Sequence, residues 1–249
     1  MTLNEVNDDL ALPVRPFRVV AVVPVHERLE LLPYTIQRLI RRNGVEVICV
    51  GDGLKEKAIC IEAGARWVEH ANKPLGAKWN AGFMAARALG PDAVLYVGSS
   101  DWLSSNWITT MKPYLDQHQM VGVPGMHLID IGTQLRCCYW PGYNGSRKDE
   151  TIGIGRMLSR KLLDKIDWQP FDSTKDSSLD RSMKDKAKAV GVSDYHVNDD
   201  RIKCVSISTN RWVNLHKFEM HWSNLMPSTK IFDMTEILQE FPEANEVFK

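Results

Sequence analysis

Val19-Val20-Ala21-Val22-Val23-Pro24-Val25-His26-Glu27-Arg28 joins an apolar run of strand length to three polar side chains. A run without polar alternation fits a strand buried on both faces, as in a parallel sheet covered by helices. The change at His26 marks the strand's carboxyl end. In open α/β sheets ligands sit outside those ends, so polar residues placed there are site candidates.

The same rhythm continues outward. Residues 1–16 are polar, carry Pro13 and Pro16, and read as a flexible lead-in. A strand is expected over 17–25, a helix over 29–42, and a strand over 45–50 that ends in Gly51-Asp52-Gly53. A helix over 54–64, a short strand over 66–69, the loop Asn72-Lys73-Pro74-Leu75-Gly76 and a helix over 77–89 follow. The next strand, over 93–98, runs into Ser99-Ser100-Asp101. Strands alternating with helices argue for an α/β fold with a mostly parallel sheet flanked by helices. Beyond residue 110 the pattern loosens into extended segments over 121–145, helices over 156–165 and 177–190, and a strand over 201–208. No repeat and no Pro/Gly/Ser linker separates the halves, so one domain over 17–249 is expected.

The chain has 249 residues, 44% of them hydrophobic and 25% charged, which is the composition of a globular domain and excludes disorder. No apolar stretch approaches the ~18 residues of a membrane span. The acidic start, Met-Thr-Leu-Asn-Glu-Val-Asn-Asp-Asp, is not a secretory signal. Five cysteines, none spaced C-x-x-C, argue against a disulfide framework and a structural zinc site. A cytoplasmic protein is the expectation. Adjacent Cys137 and Cys138 would face opposite ways on a strand and serve packing. The 31 basic and 31 acidic residues cancel only in total. Residues 134–217 hold 16 Lys and Arg against 11 Asp and Glu, and residues 218–249 hold 2 against 6.

Four stretches in order resemble the inverting glycosyltransferase family 2 pattern on a GT-A fold, over about residues 17–110. They are Val22-Val23-Pro24-Val25-His26-Glu27-Arg28, Glu46-Val47-Ile48-Cys49-Val50-Gly51-Asp52-Gly53, Asn72-Lys73-Pro74-Leu75-Gly76-Ala77-Lys78-Trp79-Asn80, and Leu95-Tyr96-Val97-Gly98-Ser99-Ser100-Asp101. The resemblance implies a nucleotide-diphosphate sugar donor held by residues 17–110 and an acceptor held by residues 111–249. Pro24, Val25, His26 and Glu27 would wall the base and ribose, and Asp52 would accept hydrogen bonds from the base edge. Lys78 would reach the base or a phosphate oxygen. Ser99, Ser100 and Asp101 would lie beside the diphosphate. Without the family, Asp52 reads as a turn residue and Lys78 as a solvated residue in a helix's first turn.

The chain departs from the family at its Asp-x-Asp motif, where carboxylates hold Mg2+ or Mn2+ against the diphosphate. Gly98, Ser99 and Ser100 stand there, and only Asp101 follows. A divalent cation would have to rely on Asp101, helped by His216 or His221 as in some GT-A enzymes. Asp101 also fits a cap for a helix beginning near Trp102. The family's general base maps to Asp176, with Asp180 one helical turn later. The local alternatives are an N-cap for Asp176 and a Lys184 partner for Asp180. The processive Gln-x-x-Arg-Trp motif is represented only by Arg211-Trp212, with Ser208 in the Gln position. Transfer of a single hexosyl group is the expectation.

Three readings stay open. One is a glycosyltransferase acting on a glycan, lipid-linked sugar or protein. Another has a hydroxymethylated pyrimidine in viral DNA as acceptor, motivated by the basic segment and by Tyr139, Trp140, Tyr143 and Trp168 as stacking groups. The third is a nucleotide-binding module without activity. A Rossmann dehydrogenase fits poorly, since no Gly-x-Gly-x-x-Gly follows the first strand.

Overall fold

In a computed structural model, which describes residues 15–130, 136–208, 230–231 and 234–247, Val20, Ala21, Val22 and Val23 have no exposed surface. They belong to β1 (Val19–Pro24), and burying each valine side chain contributes about 1.5–3 kcal/mol. After β1 come α1 (Leu32–Asn43), β2 (Glu46–Gly51), α2 (Leu54–Glu62), β3 (Arg66–Glu69), α3 (Leu75–Leu89) and β4 (Ala93–Tyr96). Helix α1 has Pro33 in its first turn and stops at Gly44, whose φ of 66° lets its own N–H close on the Ile40 carbonyl and the Val45 N–H on the Leu39 carbonyl. Helix α3 lies close on the sheet because Gly82 has no side chain to strike Val22 and Val50.

The second half contributes β5 (Asp101–Leu103), α4 (Trp107–His118), β6 (Met120–Gly122), β7 (Met126–Asp130) and β8 (Arg136–Trp140). Then come β9 (Arg156–Ser159), α5 (Arg160–Lys165), α6 (Leu179–Ala189), β10 (Tyr195–His196) and β11 (Cys204–Ser208). Strand β12 (Lys230–Ile231) and helices α7 (Met234–Glu240) and α8 (Ala244–Val247) end the described chain. The main sheet has seven strands in the order β10-β6-β9-β4-β1-β2-β3. Its pairs β1·β2, β2·β3, β1·β4 and β10·β6 are parallel, and β9 runs antiparallel to both β4 and β6. A second sheet, β12-β8-β7-β11-β5, is mostly antiparallel. The helices and the mostly parallel main sheet give the expected α/β class.

Two local expectations change. Residues 156–159 form β9 rather than the first turn of a helix, because Met157 and Leu158 are buried between β4 and β6. Ser159 then caps α5 by accepting the Leu162 N–H. Trp102 belongs to β5, so Asp101 precedes no helix; it pairs in register with Ser206 of β11.

Cys137 and Cys138 do face opposite ways on β8. Cys137 belongs to the apolar cluster that holds Ile129, Val205 and Ile237, and Cys138 to the one that holds Leu128, Val123 and Cys204. All five cysteines are buried free thiols. Among the described residues no helix is long and apolar enough to cross a membrane.

The acidic C-terminal segment is clamped to α1. Arg38, with a side chain only 3% exposed, donates to the Leu103 and Glu240 carbonyls, pairs with Glu240 at 3.1 Å and Glu243 at 2.9 Å, and stacks on Phe241. Arg38→Met is expected to cost about 1.5–3 kcal/mol, the worth of hydrogen bonds to a charged group, seen as a lower urea midpoint. An unchanged midpoint would show that the clamp adds no stability.

Candidate active site

Reading the main sheet from β3 through β2 and β1 to β4, the chain order reverses at β1, which makes the β1/β4 boundary a topological switch point. A cleft of about 330 Å³ opens there. Pro24, His26, Glu27 and Arg28 line it from the end of β1, and Gly98 and Ser99 from the end of β4. Asn72, Lys73, Leu75 and Lys78 form its α3 side, and Asp176 closes it from the loop before α6. Glu27 and Arg28 both adopt φ of 58°, a left-handed conformation that costs energy for residues with a side chain. That double turn carries the Arg28 side chain onto Ser100.

Asp176 reaches the cleft through contacts made far from its own helix. Its Oδ1 accepts the Leu75 N–H at 2.8 Å, capping α3, whose preceding residue, Pro74, makes no side-chain cap. The Gly76 N–H donates to the Lys175 carbonyl at 2.8 Å. This approach requires glycine, since a Cβ at residue 76 would collide with the Asp172 carbonyl. Buried Asn80 fixes the same loop, donating to Phe171 O at 2.9 Å and Ser173 Oγ at 3.0 Å and accepting the Phe171 N–H at 3.0 Å. Asp176 itself remains exposed.

Lys78 has no exposed surface and is not a solvated residue of the first turn. Its Nζ donates to the Val25 carbonyl and to Asn72 Oδ1, so it ties the end of β1 to the loop before α3. Burial pulls its pKa down to about 8, against the nearby charges of Asp52 and Glu56. Asp52 is exposed and accepts the Asn72 N–H at 3.1 Å. Asp52 and buried Val25 flank this tie without lining the cleft.

Ser99 and Ser100 are 6% and 1% exposed. The Ser99 carbonyl accepts the Thr35 hydroxyl, and Ser100 Oγ accepts from Arg28 Nη1 at 2.5 Å. Asp101 turns its Oδ2 back to accept the Gly98 N–H at 3.1 Å. Burial lowers the Arg28 pKa, and the charges of Asp101 and Glu27 oppose that shift. A hard cation needs several oxygen ligands, preferably carboxylates. Two hydroxyls, one of them engaged by a guanidinium, and a single carboxylate do not make such a set. Among the described residues no three His, Cys, Asp or Glu side chains come together as a metal site. His216 and His221 lie outside the described residues.

Asp180 is held away from the cleft. Tyr143 donates to its Oδ2 at 3.1 Å, Tyr96 reaches its Oδ1 at 3.4 Å, and Arg156 lies 3.8 Å from Oδ1. Lys184 pairs with Glu150 instead, at 3.6 Å. Burial, with help from Asp180, pushes the Tyr143 pKa up to about 12. Much of the basic segment is engaged internally: Arg147 with Glu150, Arg160 with Asp164, Arg201 with Asp199, and buried Arg156 with Asp180 and Asp194. Trp168 is 1% exposed and cannot stack on a base.

Sequence reasoning placed Arg28 at a polar strand end but assigned no role to it, nor to Asn72 or Asn80. Each stood inside a quoted motif; the partners of Arg28 and Asn80, Ser100 and the 171–173 loop, are distant in sequence, while Asn72 meets Lys78 within its own motif.

The fold is shared with solved glycosyltransferases. The mannosyltransferase PcManGT from Pyrobaculum calidifontis, in complex with GDP-Man and Mn2+, superposes with a TM-score of 0.56 at 12% identity, covering 94% of this chain and 66% of that one. S. aureus TarS 1-349 in complex with UDP superposes with a TM-score of 0.51 at 14% identity, covering 77% of this chain and 61% of that one. The chain thus spans less than two thirds of the length of either. No family model and no curated protein matches the sequence. The architecture is the GT-A-like fold of glycosyltransferases, and the cleft lies at its switch point.

Proposed function

We propose that the chain is a non-processive glycosyltransferase that moves one hexosyl group from a nucleotide-diphosphate sugar to an acceptor hydroxyl, with inversion. The observation that carries this is an exposed carboxylate, Asp176, brought from the second half of the chain to a cleft at the switch point. Residues 17–110 hold the donor: Pro24, His26 and Glu27 line its wall, and Lys78 braces the Val25 carbonyl and Asn72 beneath. Residues 111–249 hold the acceptor.

In the transfer, the acceptor oxygen forms a bond to the anomeric carbon from the face opposite the diphosphate. The bond from that carbon to the diphosphate oxygen breaks, and the nucleoside diphosphate leaves with the electron pair. Asp176 takes the acceptor proton. Asp180 is a poorer base, because two phenols and Arg156 already satisfy its carboxylate. The Mn2+ in the mannosyltransferase belongs to that protein. Asp101 is the sole carboxylate at the corresponding strand end here, and no step is assigned to a metal.

Nucleotide sugars screened by thermal unfolding test this reading. A ligand at about 100 times its Kd adds ~2.7 kcal/mol to stability, which raises Tm by roughly 5–10 °C in a domain of this size. GDP- and UDP-sugars are the first to try. A screen in which no nucleotide sugar moves Tm rejects the proposal; stabilisation without sugar release to any acceptor or to water favours a binding module.

A further inference from the structure

We propose that Arg28 binds the donor's diphosphate directly and neutralises the leaving group at this cleft, doing so where the fold's relatives would place a metal ion. The proposal rests on the nucleotide-sugar reading above. Three features of the β1 and β4 strand ends support it. Gly98, Ser99 and Ser100 stand where the metal-binding Asp-x-Asp is expected, and Ser100 Oγ accepts from Arg28 Nη1 at 2.5 Å. The carboxylate that follows, Asp101, is turned onto the Gly98 N–H, and its charge acts on Arg28. Arg28 itself lines the cleft, delivered there by two successive residues at φ 58°. Strained backbone of this kind persists only where the surrounding structure over-determines it, and it clusters at ligand-binding and active sites.

The chemistry matches the task. A diphosphate leaving group gains negative charge as the glycosidic bond breaks, and groups fixed beforehand where that charge develops lower the barrier. A guanidinium offers five N–H donors in a plane, stays protonated at ordinary pH, and matches phosphate oxygens in pairs. The bond to Ser100 orients that plane, and the charge of Asp101 favours the protonated guanidinium. Neither serine can ligate a hard cation as a carboxylate does.

Calorimetric titration of the whole chain with UDP, GDP and the two nucleosides, each in EDTA and in Mn2+, tests the proposal. A diphosphate is expected to bind in EDTA, with Mn2+ adding little. Arg28→Met should weaken that diphosphate about tenfold to a hundredfold while leaving its nucleoside unchanged, and Arg28→Lys should restore part of the loss. Binding of a diphosphate only when Mn2+ is added overturns the proposal and leaves the nucleotide-sugar reading standing. Equal weakening of nucleoside and diphosphate by Arg28→Met also overturns it, since the strand end would then have lost its shape rather than a charge. If no nucleoside or diphosphate binds the unaltered protein, the nucleotide-sugar reading falls and this proposal with it.

Discussion

Asp176→Asn is expected to lower the transfer rate by about 10²–10⁴-fold, the usual contribution of a positioned general base, while donor affinity stays near its original value. The separation is possible because the side chain has two roles that asparagine divides. Its Oδ1 caps α3 by accepting the Leu75 N–H at 2.8 Å, and an asparagine carbonyl can do the same. Only the proton-accepting capacity is lost. Asp180→Asn is expected to change the rate far less, since Tyr143, Tyr96 and Arg156 already occupy that carboxylate. Rates for both variants with a saturating donor are the measurement. The opposite ranking would reassign the base to Asp180, and full activity in both would remove either carboxylate from the chemistry.

The largest effect on stability is expected from Arg156→Met. Arg156 is completely buried; its Nε donates to Thr151 Oγ1 at 2.8 Å, and Nη2 to the Thr151 carbonyl. Its charge lies 3.8 Å from both Asp180 and Asp194, and the Asp194 side chain is 1% exposed. Methionine would fill much of the volume yet leave Asp194 as a buried anion with only the Thr151 N–H and hydroxyl as donors. Removing one partner of such a pair costs about 3–5 kcal/mol. For a domain of this size that lowers Tm by roughly 6–20 °C. Adding Asp194→Asn to Arg156→Met should recover part of the loss, because the stranded charge goes with it. If the single variant melts like the parent, the network carries no net stability.

The two predictions draw on information of different range. The alternation of strands and helices over 17–98 could be read because burial imposes local periods, and each strand end shows as a change from valines to polar residues. The four quoted stretches contained nearly every side chain that now lines the cleft. Helix α4 was not legible, and of the second sheet the extended segments behind β7, β8 and β11 were, but not their pairing. The segments that build that sheet are short runs whose pairing depends on what lies beside them, and the same holds in the main sheet at Arg156–Ser159, where contact with β4 and β6 makes a strand of residues compatible with a helix. The charge count likewise could not show which charges are paired: Glu240 and Glu243 are partners of Arg38, and Arg156 lies buried beside Asp180 and Asp194.

Sequence by itself determined that an α/β sheet would carry polar strand ends and that Gly98, Ser99 and Ser100 would stand where an Asp-x-Asp was expected. Those are properties of neighbouring residues, set by burial and by composition. Tertiary structure decided what each group can do. The bond from the Leu75 N–H to Asp176 spans 101 positions, and that from Arg28 to Ser100 spans 72. Neither has a local signal, because the energy that forms it comes from packing the sheet, α3 and the loop before α6 against one another. That packing turned two candidate bases into one exposed carboxylate and one partly buried in a network, and it set a guanidinium against Ser100 past the end of β4.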